Sequence, residues 1–172
     1  MTTILETERL RFRRLIPDDL NALYALYRDP EMRQYYPEGI LDYAQTKEEL
    51  EWFLHGHPKQ PELGLWATIY KETNVFIGRC GLLPWTLEGR AEVEVAYMVD
   101  KHYWRQGLGT EAAQGIRDYA FETLRLTRLI CMVDPNNAAS AKVATNIGMT
   151  LEKEAVDEFG PFLLFSMDKP AG

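Results

Sequence analysis

Apolar and polar positions alternate along residues 8–15, where Leu10, Phe12 and Arg14 oppose Arg9, Arg11 and Arg13. A period of two predicts a strand. The spacing then turns helical. Pro17, Asp18 and Asp19 open a helix, because proline is tolerated in a first turn and carboxylates favour the positive helix end. Leu20, Leu23, Tyr24 and Tyr27 give it an apolar stripe, and it stops near Asp29 and Pro30. A second helix is predicted over residues 43–55. Thr46, Glu48 and Glu49 suit its first turn, and Leu50, Phe53 and Leu54 form its apolar face. After a loop at 58–61, three apolar runs follow at 65–70, 75–83 and 91–99. Thr73-Asn74 and Glu88-Gly89 are the turns between them, so this stretch predicts an antiparallel meander.

The character changes after Asp100. A glycine-containing loop leads into a helix over 109–124, with Ala112, Ile116, Tyr119 and Ala120 on one face. A short strand at 129–133 and a helix at 137–146 come next. Gly148 then sits where a helix end often needs a left-handed residue. Two strands, 150–156 and 161–167, turn near Gly160. The order predicts a mixed α/β sheet of about seven strands, with a parallel crossover through the central helix. No repeat, low-complexity stretch or Gly/Ser linker divides the chain, so residues 1–172 are expected to form one domain.

Composition narrows the function. The 172 residues are 46% hydrophobic and 26% charged, an ordinary globular balance. The net charge of -7 disfavours nucleic acid as a partner and suits a cationic acceptor. No apolar run approaches the roughly 18 residues of a membrane helix, and the start carries no apolar signal core. No membrane partner and a cytoplasmic location are therefore expected. Cys80 and Cys131 lie in apolar runs and are expected to be buried thiols. His55 and His57 lack further ligands at zinc spacing, so no metal is expected. Tyr35, Tyr36, Trp66 and Trp85 are candidates either for the core or for an acceptor pocket.

The candidate chemistry lies in Arg105, Gln106, Gly107, Leu108, Gly109 and Thr110, between a strand and a helix. Glycines allow a tight turn and leave room for a ligand. The first amides of the helix have no internal partners, and the helix dipole favours negative charge before them. A diphosphate satisfies both, and Arg105 adds a charged contact. Gly107, Gly109 and Ala112 also match G-x-G-x-x-A, with Asp134 about 25 residues on, as in a dinucleotide-binding unit. Against that reading, residues 100–106 separate the strand from the glycines, and three strands of a meander come first.

The segment from Glu94 through Tyr97, Tyr103, Trp104, Gly107, Gly109, Thr110 and Glu111 to Ala112 resembles the acetyl-CoA-binding motif of the GNAT acetyltransferases. It is most similar to the ribosomal-protein N-terminal acetyltransferase branch, the RimJ/RimL type. The run from Thr7 to Arg13 resembles that branch's first strand. Asn137 with Ser140, and Gly148 with Met149, resemble its N-x-x-S and closing glycine-aromatic motifs. The resemblance covers nearly the whole chain. It departs at Trp104, where the general pattern has Gln or Arg, and at Met149, where an aromatic is usual. It departs again at Ala144, where many members carry a tyrosine that protonates the leaving thiolate.

This resemblance implies a GNAT fold splayed at the acyl-CoA site and acetyl-CoA as cosubstrate. The amides of 105–110 would hold its diphosphate. The backbone of Met98 and Val99 would lie beside the pantetheine, Asn137 would hold it, and Ser140 would hydrogen-bond the sulfur. Acetyl transfer to an amine needs proton removal and stabilisation of charge on the thioester oxygen. Glu94 is the first candidate base and Glu92 the second. Two positions apart on a strand, they share a face, and the bland alternative is that both coat a solvated surface. The acceptor is a primary amine, either a protein N-terminus or a small molecule. An N-terminal amine, with a pKa of about 7.7–8.0 against about 10.4 for lysine, needs less help from a base. The other readings are a non-catalytic acyl-CoA-binding module and, behind it, a nicotinamide oxidoreductase. Monomer and homodimer are equally compatible with the sequence.

Overall fold

The computed structural model describes residues 2–172. A short edge strand, β1 (Thr3–Glu6), turns at Thr7 into β2 (Leu10–Arg14). The Thr7 amide donates to the Leu10 carbonyl at 2.9 Å, and the Leu10 amide to the Thr7 hydroxyl at 3.1 Å. The predicted strand over 8–15 is therefore the second of a hairpin. Its partner has no strict alternation to betray it.

Pro17–Asp19 form a 3-10 turn that runs into α1 (Leu20–Tyr27). Asp19 is buried rather than solvated, and both its oxygens accept from Arg13, at 2.8 and 2.9 Å. α2 (Tyr43–Phe53) begins on a capping box. Asp42 accepts from the Gln45 amide at 2.8 Å, and the Gln45 side chain accepts from the Asp42 amide at 2.9 Å. Thr46, expected near the helix start, is fully buried and bonds back to the Asp42 carbonyl.

β3 (Gly64–Tyr70), β4 (Val75–Leu87) and β5 (Arg90–Val99) form the antiparallel meander, with β4 running past the predicted end at 83. α3 (Leu108–Glu122) crosses back to β6 (Arg128–Val133), which lies parallel to β5. α4 (Ala138–Asn146) precedes the hairpin of β7 (Thr150–Asp157) and β8 (Gly160–Asp168). The single sheet has eight strands in the order β1-β2-β3-β4-β5-β6-β8-β7. No helix among the described residues is long and apolar enough to cross a membrane.

The sheet is buried on both faces. One core packs α3 and α4 on Leu10, Phe12, Trp66, Cys80, Leu82, Val95, Leu129 and Cys131. Ala112, Ala113, Ile116, Ala120 and Phe121 of α3 are each at most 4% exposed. Burying Ile116 and Phe121 alone contributes about 1.5–3 kcal/mol apiece. The other core packs α1 and α2 on Leu65, Ala67, Ile69 and Met98. Trp66 belongs to the first core, with its ring edge-on to Tyr119 at 5.8 Å, so it lines no acceptor pocket.

One feature positions the site. β5 and β6 share a single register pair, Glu94 with Ile130, and then part. Every other neighbouring pair in the sheet is antiparallel and zipped over at least three register pairs.

Candidate active site

The loop before α3 is shaped by two left-handed residues, Arg105 at φ 64° and Gly107 at φ 77°. Gly107 is the N-cap and offers no side chain to the helix. The amides of Gln106, Gly107, Leu108, Gly109 and Thr110 find no acceptor among the described residues. The first to bond is that of Glu111, to the Gly107 carbonyl at 3.0 Å. A methyl group added at Gly107 would meet only the Arg9 guanidinium, at 3.7 Å, and one at Gly109 only Val143, at 3.8 Å. The donors thus face open space at the positive end of a 15-residue helix. Arg105 and Gln106 are exposed, and Leu108, 1% exposed, anchors the turn in the core.

Three contacts hold this loop that spacing alone does not reveal. Arg9 donates to the Gln106 carbonyl at 3.0 Å, turning that oxygen away from the amides. Glu111 accepts from Thr7 Oγ1 at 2.6 Å, the Arg9 amide at 2.8 Å and Arg9 Nε at 2.7 Å. Burial opposes the charge on Glu111, but these bonds prevail and hold its carboxyl below the usual range. Trp104 donates its indole N–H to the Val99 carbonyl at 2.7 Å, tying the loop to the end of β5. Trp104 therefore supports the turn through a backbone acceptor, and the Val99 carbonyl is already occupied. Thr110 Oγ1 accepts from Asn146 at 3.3 Å, joining α3 to α4.

The gap between β5 and β6 is closed differently on its two faces. On the α1/α2 face Glu94 spans it. One carboxylate oxygen accepts from the Met132 amide at 2.8 Å, and the other from Trp85 Nε1 at 3.0 Å. Burial pushes its pKa up to about 7, against the pull of the Met132 and Trp85 hydrogen bonds and the positive Arg79. A carboxylate titrating near 7 is suited to exchanging protons at neutral pH.

Glu92 does not share that setting. Its side chain is 4% exposed and gripped by Arg128, with Nε at 3.0 Å and Nη2 at 2.8 Å. Arg128 also meets Glu152 at 2.9 Å. Period two puts Glu92 and Glu94 on one face, but Glu92 is a buried ion-pair partner of Arg128, whereas Glu94 reaches the gap between β5 and β6. Neither carboxylate coats a solvated strand.

On the α3/α4 face the Tyr97 hydroxyl lies 2.8 Å from the Ser140 carbonyl and 3.0 Å from Ser140 Oγ. Burial pushes the Tyr97 phenol upward, so it keeps its proton. Asn137 is the N-cap of α4 and accepts from the Ser140 amide at 3.1 Å. Ala144 is fully buried. Met98 and Val99 end β5 beyond its last bridge to β6. Tyr97 lies in the segment that carries the resemblance, but its place in the alternation with Val95 and Val99 assigns it no role, because the α4 turn that it meets lies 43 residues away.

The remaining candidates resolve as structure. The His57 ring packs on Trp52 and Phe53, and its Nδ1 accepts from the Lys59 amide at 3.1 Å. Among the described residues no three His, Cys, Asp or Glu side chains converge as metal ligands. Cys80 and Cys131 are free and buried. The Tyr36 hydroxyl accepts from buried Arg79 at 3.0 Å, and the Arg33 guanidinium lies 4.2 Å from the Tyr36 ring centre. This pins the segment between α1 and α2 to the sheet.

A model of the acetyltransferase (GNAT) domain family matches residues 9–150. The uncharacterized Bacillus subtilis protein YkkB is 34% identical over 152 residues, covering 88% of this chain and 87% of its own. An uncharacterized N-acetyltransferase, p20 of Bacillus licheniformis, is 30% identical over 150 residues, covering 86% and 83%. Among solved structures, a GNAT-family acetyltransferase from Bacillus anthracis superposes with a TM-score of 0.84 at 21% identity, over 97% of this chain and 98% of that one. The same fold occurs in ribosomal-protein-S5-alanine acetyltransferase from Vibrio fischeri, with a TM-score of 0.77 at 20% identity over 99% and 100%. It occurs also in spermidine N-acetyltransferase from Vibrio cholerae, determined with CoA and spermine, with a TM-score of 0.77 at 15% identity over 94% and 96%.

Proposed function

The chain belongs to the GNAT acetyltransferase family, and from that premise we propose that it transfers the acetyl group of acetyl-CoA to a primary amine in the cytoplasm. The observation that carries the proposal is the run of unclaimed amides from Gln106 to Thr110, set beside the opening between β5 and β6. In this reading those amides and Arg105 hold the coenzyme diphosphate. The pantetheine runs past Met98 and Val99 toward Asn137, and the acetyl group reaches the opening. Glu94, with its pKa near 7, takes the proton that the acceptor nitrogen must lose, directly or through a water. Ser140, at the start of α4, hydrogen-bonds the coenzyme sulfur. Two similar folds act on amines by their names, one on spermidine and one on the alanine of a ribosomal protein. They support an amine acceptor and leave a RimJ/RimL-like N-terminal substrate and a polyamine as the two classes to separate.

The test is to mix the protein with acetyl-CoA and a panel of amines that includes spermidine, free amino acids and short peptides with free N-termini, following release of thiol. Thiol release with at least one amine is expected. Coenzyme binding without release for every amine would leave a binding module in place of an enzyme.

A further inference from the structure

The two faces of the β5–β6 opening carry different chemistry, and this inference rests on the acetyl-transfer reading above. Glu94 closes the α1/α2 face, so the amine is deprotonated there. The departing sulfur then belongs on the opposite face, where Tyr97 and Ser140 meet. Ala144 offers no proton at the place where many members of the family carry a tyrosine. Thr145, the next hydroxyl on α4, already donates to the Ala141 carbonyl at 3.0 Å. The Cys131 thiol points at the Val95 carbonyl at 3.3 Å and is pushed far up by burial. That leaves one hydroxyl pair.

We infer that Tyr97 is the positioning residue that holds Ser140 where its hydroxyl meets the coenzyme sulfur. Tyr97 has one proton and three groups within reach of its hydroxyl, the Ser140 carbonyl at 2.8 Å, Ser140 Oγ at 3.0 Å and the buried Cys131 thiol. The carbonyl can only accept, so the Tyr97 proton goes to it and fixes the first turn of α4, and the phenol oxygen is left as a resting acceptor for the Ser140 hydroxyl. A coenzyme thiolate in the opening is the stronger acceptor and draws the Ser140 proton from that resting place. The buried phenol stays neutral, so it acts by donating and not by ionising. In the transfer the amine nitrogen bonds to the carbonyl carbon, the C–S bond breaks, and its electron pair goes to sulfur. Ser140 donates a hydrogen bond to that thiolate, while Tyr97 donates to the Ser140 carbonyl and holds the turn in place. A protonated amine loses two protons on becoming an amide: Glu94 takes the first and passes it to solvent, and the second, lost after the nitrogen has bonded to carbon, finally makes the free thiol, so the atoms balance without any other reactant.

The experiment uses product complexes and needs no acceptor. Affinities for CoA and for desulfo-CoA are measured from about pH 8 to 10, because the primary alkyl thiol of CoA ionises later than a cysteine and the preference should grow as its thiolate forms. Wild-type protein is expected to hold CoA about tenfold more tightly than desulfo-CoA, the scale of a hydrogen bond to a charged group. Tyr97→Phe keeps the ring and removes the hydroxyl. It should abolish the preference while leaving desulfo-CoA affinity unchanged. Ser140→Ala should do the same, and the double variant should lose nothing more. A preference that survives in Tyr97→Phe, or that wild-type protein lacks, overturns the inference. So does an equal weakening of both ligands in Tyr97→Phe, which marks a merely structural contact. If wild-type protein binds neither compound, the acetyl-CoA reading fails, and this inference with it.

Discussion

Two carboxylates stand two positions apart on β5 and meet opposite fates. Glu92 is held from two directions by Arg128, while Glu94 reaches across a break in the sheet to the Met132 amide. Neutralising Glu92 would remove the buried charge that Arg128 grips, while Arg128 keeps its second partner, Glu152. Glu92→Gln should therefore cost about 1–3 kcal/mol in urea denaturation and leave turnover per folded molecule unchanged. Glu94→Gln should lower kcat by about a hundredfold, the low end for a general base, with the KM for acetyl-CoA unchanged. In the wild type, kcat/KM should rise with pH and level off above about 7, the value to which burial lifts Glu94. An acid whose pKa is raised by folding stabilises the fold below its unfolded value, and that contribution is lost as pH climbs through its folded value. Wild-type stability should accordingly fall, relative to Glu94→Gln, between about pH 4.5 and 7. A rate profile flat across pH 5–9 would remove Glu94 as the base.

At the scale of elements, the critical piece is the start of α3. Its amides are free because Gly107 caps without a side chain, Arg9 takes the Gln106 carbonyl, and Glu111 ties the first turn to the β1–β2 turn. A bulky residue at Gly107 tests this poorly, since φ is 77° there and any side chain adds strain. Gly109 is the better probe. It lies inside the helix, and an added Cβ meets only Val143 at ordinary contact distance. Gly109→Asp places a carboxylate where the helix dipole welcomes it, so stability should hold or rise by up to about 1 kcal/mol. The same charge should repel a diphosphate and weaken CoA binding more than tenfold, by charge repulsion in a partly desolvated site. Calorimetric titration gives the affinity and thermal melting the stability. Unchanged CoA affinity would place the coenzyme elsewhere.

For the whole molecule, the proposed coenzyme site joins β5, α3 and α4, elements that already share one core. Binding to the folded state alone stabilises it by mass action, about 2.7 kcal/mol at a hundred times Kd. For a chain of this size that corresponds to a rise of about 5–10 °C in Tm. CoA should produce that rise in differential scanning, and NADH should produce none. The reverse result would revive the dinucleotide reading of Gly107, Gly109 and Ala112.

Much of this was legible along the chain. Period-two and helical spacing determined most of the elements and their order, and glycines before an amphipathic helix marked the candidate anion site, because these are local properties of the backbone. The strand count fell one short, since Thr3–Glu6 becomes a strand only by pairing with β2. Spacing put Glu92 and Glu94 on one face but could not say which would be gripped by an arginine 36 residues away. Nor could it bring Tyr97 to Ser140 or Arg9 to the α3 loop, contacts between residues 43 and 97 positions apart. The opening itself depends on where β5 and β6 stop pairing, and parallel strands joined through a helix carry no turn residue that records their register. The sequence by itself determined which residues could do chemistry. Only the packed sheet decided which carboxylate and which hydroxyl stand at its opening.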